Sequence, residues 1–260
     1  MLAVHILHDK EIIYQFLRKN IGLHLYAIGD LDDFFWSRTS WFALMENQDI
    51  KIIALLYTGM NIPTLQILYE GDSFYAEILV KEILQILPRK FYGLLSTGLL
   101  GLMSKQFEIE YYGKYYKMEL KKLVPELNDL HIHPLTIGDI LEIQEFFKTA
   151  YPHNWFDSRM LETNKYLGYY MDDRLAGVSG IHVYSREYRV AGLGNIATHP
   201  EYRGQGIGFT LTSVLCQNLQ KEVDVIGLNV RSDNAFAIKC YNSIGFDIIA
   251  TFDECLVKSY

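Results

Sequence analysis

The sequence predicts a mixed α/β fold, and three observations carry that expectation. From Asp129 onward, extended runs alternate with amphipathic helical runs, the pattern of a sheet layered with helices. Pairs of extended runs join through short polar turns and read as hairpins. The stretch from Gly192 to Leu219 passes from a strand through a turn and a glycine-rich loop straight onto a helix. With 260 residues, 50% of them hydrophobic and 21% charged, the chain is globular and long enough for one large or two ordinary domains.

In the first half, "HILHDKEIIYQFLRKN" reads as a strand followed by a helix, "WFALMENQDIKIIALLYTG" as a hairpin, and "LQILYEGDSFYAEILVKEILQIL" as a strand and a helix. Leu123 to Asp129, "LVPELND", has the proline and polar character of a linker. Beyond it "LHIHPL" is a short strand. Thr136, with Asp139 three residues on, forms a capping-box pattern ahead of "ILEIQEFFKTAY". "KYLGYYMDDRLAGVSGIHVY" is two extended runs turning at Asp172 and Asp173. A third strand, from about Arg189 to Thr198, leads to the glycine loop and its helix. The strand "VDVIGLNV", a helix capped by Ser232 or Asp233, and a terminal hairpin in "FDIIATFDECLVK" complete the chain. The order of elements repeats, so the expected domains are residues 1–124 and 129–260, with the glycine loop in the second alone and an unrelated α+β domain as the alternative for the first.

That loop has the makings of an anion site. Pro200 ends the preceding strand, because proline lacks a donor and biases its predecessor away from helix. Arg203 to Gly208 then sets Gly204, Gly206 and Gly208 at alternate positions, directly before Phe209, Leu211, Val214 and Leu215, which have helical apolar spacing. Alternating glycines let the backbone approach a ligand closely. The first N–H groups of a helix have no internal partner, and the helix dipole adds positive potential there. Arg203 supplies a forked cation at the same place. No GxxxxGK[ST] run exists, which excludes a P-loop. Gly192, Gly194 and Ala197 satisfy G-x-G-x-x-A, but a proline-broken turn follows where a Rossmann helix belongs.

"RGQGIG" resembles the Q/R-x-x-G-x-G/A signature of the GNAT superfamily of acetyl-CoA-dependent acyltransferases, with Arg203, Gly206 and Gly208 at its fixed positions. The flanks are similar too: "NIATHPEYRGQGIG" upstream, and "LNVRSDNAFAIKCYNSIGF" downstream with Asn234, Ala237, Tyr241 and the Gly245-Phe246 pair. The likeness covers about half the chain. It implies a tandem GNAT-like acyl-CoA N-acyltransferase fold: a central mixed, mostly antiparallel sheet flanked by helices, whose N-terminal copy is degenerate. It also implies that the strand before the loop pairs poorly with the next. Ile196 and Thr198 would then face the pantetheine arm, and the N–H groups of Gly204, Gln205, Gly206, Ile207, Gly208 and Phe209 would hold the pyrophosphate. A backbone N–H near Ile196 or Ala197 would bond the thioester oxygen.

The same resemblance makes Tyr241 the proton donor to the departing thiolate, since a phenol titrates at about 10 and a thiol at about 8.5. Asn234 would contact the cofactor or cap its helix. Some relatives in the superfamily carry a glutamate base where this chain has Asn229, and an amide cannot serve as that base. A water chain, Glu187 or Glu201 remain as bases, with His199 read as a turn residue at the strand end. The acceptor would be met by "YPHNWFDSRM", with Tyr151, His153, Trp155 and Phe156 as aromatic walls or as core.

A net charge of −7 argues against a nucleic-acid surface. Cys216, Cys240 and Cys255 have no metal spacing and read as reduced thiols of a cytoplasmic protein. The scattered histidines form no ligand pair, so no metal is expected. No leader and no apolar run long enough for a membrane span are read in the chain. The expected function is an N-acetyltransferase moving acetyl from acetyl-CoA to a primary amine of a small molecule or peptide within a ternary complex. A non-catalytic acyl-CoA-binding sensor or scaffold is the alternative. A tandem acyltransferase acting on aminoacyl-tRNA is disfavoured by the acidic balance.

Overall fold

The computed structural model describes residues 1–104 and 107–259. Lys105 and Gln106, within the expected first domain, and Tyr260, at the end of the second, lie outside the described residues. Two compact units form. Met1–Lys117, Arg231–Asp233 and the chain from Ile249 make one, and Met118–Val230 with Asn234–Ile248 make the other.

The first unit runs β1 (Leu2–Leu7), α1 (Lys10–Leu17), α2 (Ile21–Gly29), α3 (Asp33–Trp36), β2 (Thr39–Glu46), β3 (Asp49–Tyr57), β4 (Thr64–Ile67), α4 (Phe74–Ile83), β5 (Lys90–Ser96), α5 (Leu100–Met103) and β6 (Phe107–Leu120). Local chemistry sets several of these boundaries. Asp9 caps α1 by accepting from the N–H groups of Glu11 and Ile12, and Asn47 and Gln48 turn the β2–β3 hairpin at positive φ. Strands β1 to β4 are antiparallel neighbours, and β4 pairs parallel with β5 across α4. The apolar side of α4 (Ala76, Leu79, Val80, Ile83) buries against Leu44, Ile52, Leu65 and Phe91 in one cluster.

The second unit follows the same plan with β7 (Ile132–Pro134), α6 (Ile140–Ala150), β8 (Leu167–Met171), β9 (Arg174–Ser185), β10 (Val190–Thr198), α7 (Ile207–Leu219), β11 (Val225–Arg231), α8 (Ala235–Ile244) and the start of β12 (Phe246–Ser259), a strand that belongs to the first unit from Ile249 on. Again an antiparallel series, β7 to β10, ends in one parallel pair, β10 with β11, joined through a helix. The mixed, mostly antiparallel sheet and the repeated order are therefore both present. The Thr136–Asp139 capping box forms, as does the turn at Asp172 and Asp173, both at positive φ. Helices cover both faces of this sheet. A Cβ on Gly177 would strike Ile207 and Leu211 of α7, whereas one on Gly180, three residues along, would strike Tyr166. Tyr166 packs through Phe156 to Phe147 of α6.

Three expectations are corrected. "FDIIATFDECLVK" is no hairpin but part of the single strand β12, because Phe252 to Lys258 pair with Ser96 to Lys90 of β5 along an unbroken register. Helix α8 is capped neither by Ser232 nor by Asp233, which Arg231 holds in a fork, but by Asn234, in line with the capping role also expected of it: its side chain accepts from the Ala237 N–H at 3.1 Å. The buried stripe of α7 is Ile207, Leu211, Leu215, Cys216 and Leu219, with Phe209 exposed and Val214 at its margin.

Candidate active site

Strand β10 decides where a ligand fits. Its parallel ladder with β11 covers Val190 to Leu193 against Val225 to Leu228 and ends there, although β10 continues to Thr198 and β11 to Arg231. On the other side β10 stays paired with β9, but with a bulge. Gly194 opposes Gly180 and Ala197 opposes Val178, so Asn195 and Ile196 share one partner position. Asn195 takes φ 54°, a left-handed conformation that asparagine tolerates better than most residues. Beyond Leu193 the β10–β11 ladder is open, and Ile196, Ala197 and Thr198 lie half-buried along that stretch of β10.

At the end of β10, Pro200–Tyr202 make one 3-10 turn, and the chain then enters α7 through Gly204 at φ 79° and the cap residue Gly206 at φ 82°. Glycine takes these angles without the steric cost that a Cβ brings. Around both glycines nothing lies within 4 Å of where a Cβ would stand, so the loop faces open space. None of the N–H groups from Gly204 through Gln205, Gly206, Ile207 and Gly208 to Phe209 donates a hydrogen bond to another described residue. A row of unengaged N–H groups at the positive end of a 13-residue helix fits a pyrophosphate. Arg203 is exposed, donating from Nε to the Thr198 carbonyl at 3.2 Å and from Nη2 to that of Ala150 at 3.4 Å. The contact with the last residue of α6 fixes the guanidinium beside the loop with donors to spare.

Tyr241 lies on α8, buried, with its ring 6.0 Å from that of Phe246. Burial first, then the nearby Cys240, Tyr151 and Cys216, pushes its phenol far above the ordinary range, so it stays protonated at any working pH. Asn229 is half-buried on β11, one residue past the end of the ladder. Of the carboxylates considered as bases, Glu187 stands exposed in the β9–β10 turn and Glu201 is likewise exposed. His199 caps the turn by accepting from the Glu201 N–H at 3.4 Å, as a strand-end residue does. Phe156 is core packing, between Phe147 and Tyr166, whereas Tyr151 and His153 are exposed.

Sequence reasoning missed a group on the face opposite α7: His182, Asn195 and Tyr166. Asn195 is 2% exposed and donates from Nδ2 to the Tyr166 hydroxyl at 2.9 Å, which in turn donates to the Ile181 carbonyl at 2.8 Å. His182 lies directly over Gly194. The signal in the sequence was the run of glycines at 192 and 194 before Asn195, which marks a bulge and a close approach inside a strand. Among the described residues no group of three or more His, Cys, Asp and Glu side chains is placed to hold a metal ion. No helix among them is long and apolar enough to cross a membrane.

Residues 127–246 match the family model described as "Acetyltransferase (GNAT) family". The chain is 45% identical over 58 residues to the ribosomal protein bS18-alanine N-acetyltransferase of Escherichia coli (strain K12), a match covering 22% of this chain and 39% of that protein. An acetyltransferase of the GNAT family from Colwellia psychrerythraea superposes with a TM-score of 0.60 at 13% identity, over 99% of this chain and 100% of that one. A tandem GNAT protein from the clavulanic acid biosynthesis pathway superposes with a TM-score of 0.55 at 13% identity, over 98% of each chain. At such identities the superpositions show the fold alone. The chain spans 38% and 39% of the length of the curated relatives it matches.

Proposed function

Residues 127–246 of this chain belong to the GNAT acetyltransferase family, and on that premise we propose that the protein is an N-acetyltransferase that moves an acetyl group from acetyl-CoA to a primary amine, with donor and acceptor bound together. The observation that carries this reading is the row of unengaged N–H groups from Gly204 to Phe209 beside the point where the β10–β11 ladder ends. One feature holds an anion, the other offers backbone groups to an amide-bearing arm. When bound, acetyl-CoA supplies a thioester, activated for attack by an amine.

The chain's own groups do the rest. The loop N–H groups and Arg203 hold the pyrophosphate, and the backbone around Ile196 and Thr198 orients the arm. The N–H of Ile196 or Ala197 is assigned to the carbonyl oxygen, where it stabilises developing negative charge. Tyr241, kept protonated by burial, holds a proton for the leaving sulfur. Asn234 serves its helix as a cap, and its contact with the cofactor is assigned from the resemblance. A cytoplasmic setting suits the free cysteines Cys216, Cys240 and Cys255.

The acceptor is an amine of a small molecule or peptide. The name of the relative from Escherichia coli makes an alanine-starting peptide the first to try. Release of CoA thiol from acetyl-CoA is to be followed over a panel of such peptides, polyamines and aminoglycosides. Transfer to one of them supports the enzyme. The second reading, an acyl-CoA-binding sensor, is favoured by Asn229 standing where a carboxylate base is expected; CoA binding with no transfer to any amine would establish it.

A further inference from the structure

Acetyl transfer to an amine releases a proton from the attacking nitrogen, and Asn229 has no group to take it. The register of the sheet shows what lies beside Asn229. Leu193 and Leu228 are the last pair of the parallel ladder, so Gly194 and Asn229 are the first residues beyond it and continue on the same face. Gly194 pairs with Gly180, and Gly180 faces Tyr166 rather than α7. The position over Gly194 is filled by the ring of His182: a Cβ added there would lie 2.0 Å from its Cδ2 and 2.2 Å from its Nε2. The absence of a side chain at Gly194 is what lets an imidazole rest against the backbone where the β10–β11 ladder ends.

Asn195, the next residue, adds an independent observation. The hydroxyl proton of Tyr166 goes to the Ile181 carbonyl, so Tyr166 must accept from the Asn195 amide nitrogen, and this fixes which end of the amide is which. The amide oxygen is then left buried, with no hydrogen bond from any described residue. A buried acceptor in that state has lost its water without compensation, a cost that a donor from a ligand recovers. The His182 ring is half-buried and also receives no hydrogen bond from a described residue. Burial lowers its pKa to about 4, which leaves the imidazole neutral and able to accept at neutral pH.

We propose that His182 is the general base of the acetyl transfer and that Asn195 Oδ1 holds the amine in place for it. The amine nitrogen forms its bond to the acyl carbon, becomes cationic, and gives one proton to His182 Nε2 while its second N–H donates to Asn195 Oδ1. The carbon–sulfur bond then breaks, and the sulfur takes the proton of Tyr241. His182 then gives its proton to solvent and Tyr241 regains one from solvent, which returns both groups to their starting state. A weakly basic imidazole is adequate because the nitrogen becomes a much stronger acid once it is bonded to the acyl carbon. The assignment rests on the acetyltransferase reading of the preceding section.

The test is steady-state transfer to the best acceptor of the amine panel, beside calorimetric CoA binding on the same preparations. His182→Ala is expected to lower kcat about 100-fold, to leave CoA affinity within about twofold, and to regain rate as free imidazole is added, since the space over Gly194 then admits the base. His182→Gln, which keeps volume and polarity without the basic nitrogen, shows the same loss with no rescue and covers the case in which the alanine variant does not fold. Asn195→Leu raises the KM of the amine about tenfold, the loss of one hydrogen bond to a charged group. A glutamine variant with kcat within about threefold of the wild type, or an alanine variant whose loss imidazole leaves untouched, overturns the assignment while acetyl transfer stands. A wild-type chain that binds CoA and acetylates nothing in the panel overturns the reading beneath it, and His182 as its base goes with it.

Discussion

Leu193 of β10 pairs with Leu228 of β11, and the parallel ladder stops at that pair although both strands continue. The first unit treats its equivalent pair differently. There β4 matches β5 along its whole length, Thr64 to Ile67 against Tyr92 to Leu95, and beyond it the Ser96 hydroxyl accepts from the Tyr69 N–H at 3.0 Å and donates to the Tyr69 carbonyl at 3.3 Å. Closing the ladder leaves no backbone for a ligand arm, and no glycine loop precedes α4. One architecture thus appears twice, open where the glycines are and shut where they are absent.

Gly206→Ala tests the loop through its backbone alone. At φ 82° with nothing within 4 Å, the added methyl meets no atom, so its cost is the left-handed conformation, about 1–2 kcal/mol. The loop relieves that strain by rotating its N–H groups, and CoA affinity should fall with stability. Gly208→Ala is the control. It lies within the helix at an ordinary angle, 3.4 Å from the Thr198 hydroxyl, and should leave unfolding by urea within about 0.5 kcal/mol of the wild type. Equal stability of the two variants would remove the argument from φ.

Arg203→Glu puts a carboxylate beside the proposed pyrophosphate site and loses the ties to Thr198 and Ala150. A charged hydrogen bond contributes about 1.5–3 kcal/mol, so CoA binding should weaken at least about tenfold, and repulsion adds to this. Calorimetry of CoA against wild type and variant measures it. Affinity unchanged by the charge reversal would refute the pyrophosphate assignment.

How far the fold and site could be read from sequence depended on how local their causes were. The Thr136–Asp139 capping box, the turn at Asp172 and Asp173, and the glycine loop each follow from side chain and backbone within a few residues, and each stands as expected. The continuity of β12 depends on β5, more than 150 residues earlier, and nothing in "FDIIATFDECLVK" reveals that partner. Ser232, Asp233 and Asn234 all have the chemistry of a cap for α8, and the sequence does not show that Arg231 claims Asp233 while Asn234 accepts the Ala237 N–H. His182 looks like an isolated polar residue in an apolar strand. Only the register that sets it over Gly194, and the bulge that turns Asn195 toward Tyr166, give it a context.

Tyr241→Phe removes the hydroxyl and keeps the ring against Phe246. If the phenol donates to the leaving sulfur, kcat should drop about 100-fold while CoA affinity holds within about twofold. Because burial raises the phenol's pKa well above 10, the wild-type rate should show no fall from tyrosine ionisation up to about pH 10. Unchanged kcat in the phenylalanine variant would sink the role.

Two buried groups of the first unit should give its stability a minimum near neutral pH. Glu254 is buried, and that burial raises its pKa from 4.5 to about 7 against the opposing pull of Tyr115 and Arg231. Between these values the unfolded chain has lost a proton that the folded one keeps, so stability falls as pH rises from 4.5 to 7 and is flat above. Lys117, buried with its ammonium 4.7 Å from the Tyr26 ring and 5.5 Å from that of Phe252, has its pKa lowered from 10.5 to about 7. Here the unfolded chain holds a proton that the folded one has shed, so stability recovers as pH climbs from 7 to 10.5. Urea unfolding across this range should show both limbs. Glu254→Gln should flatten the acid limb alone and Lys117→Met the alkaline limb alone. A single variant that flattened both would mean that the two groups titrate as a pair.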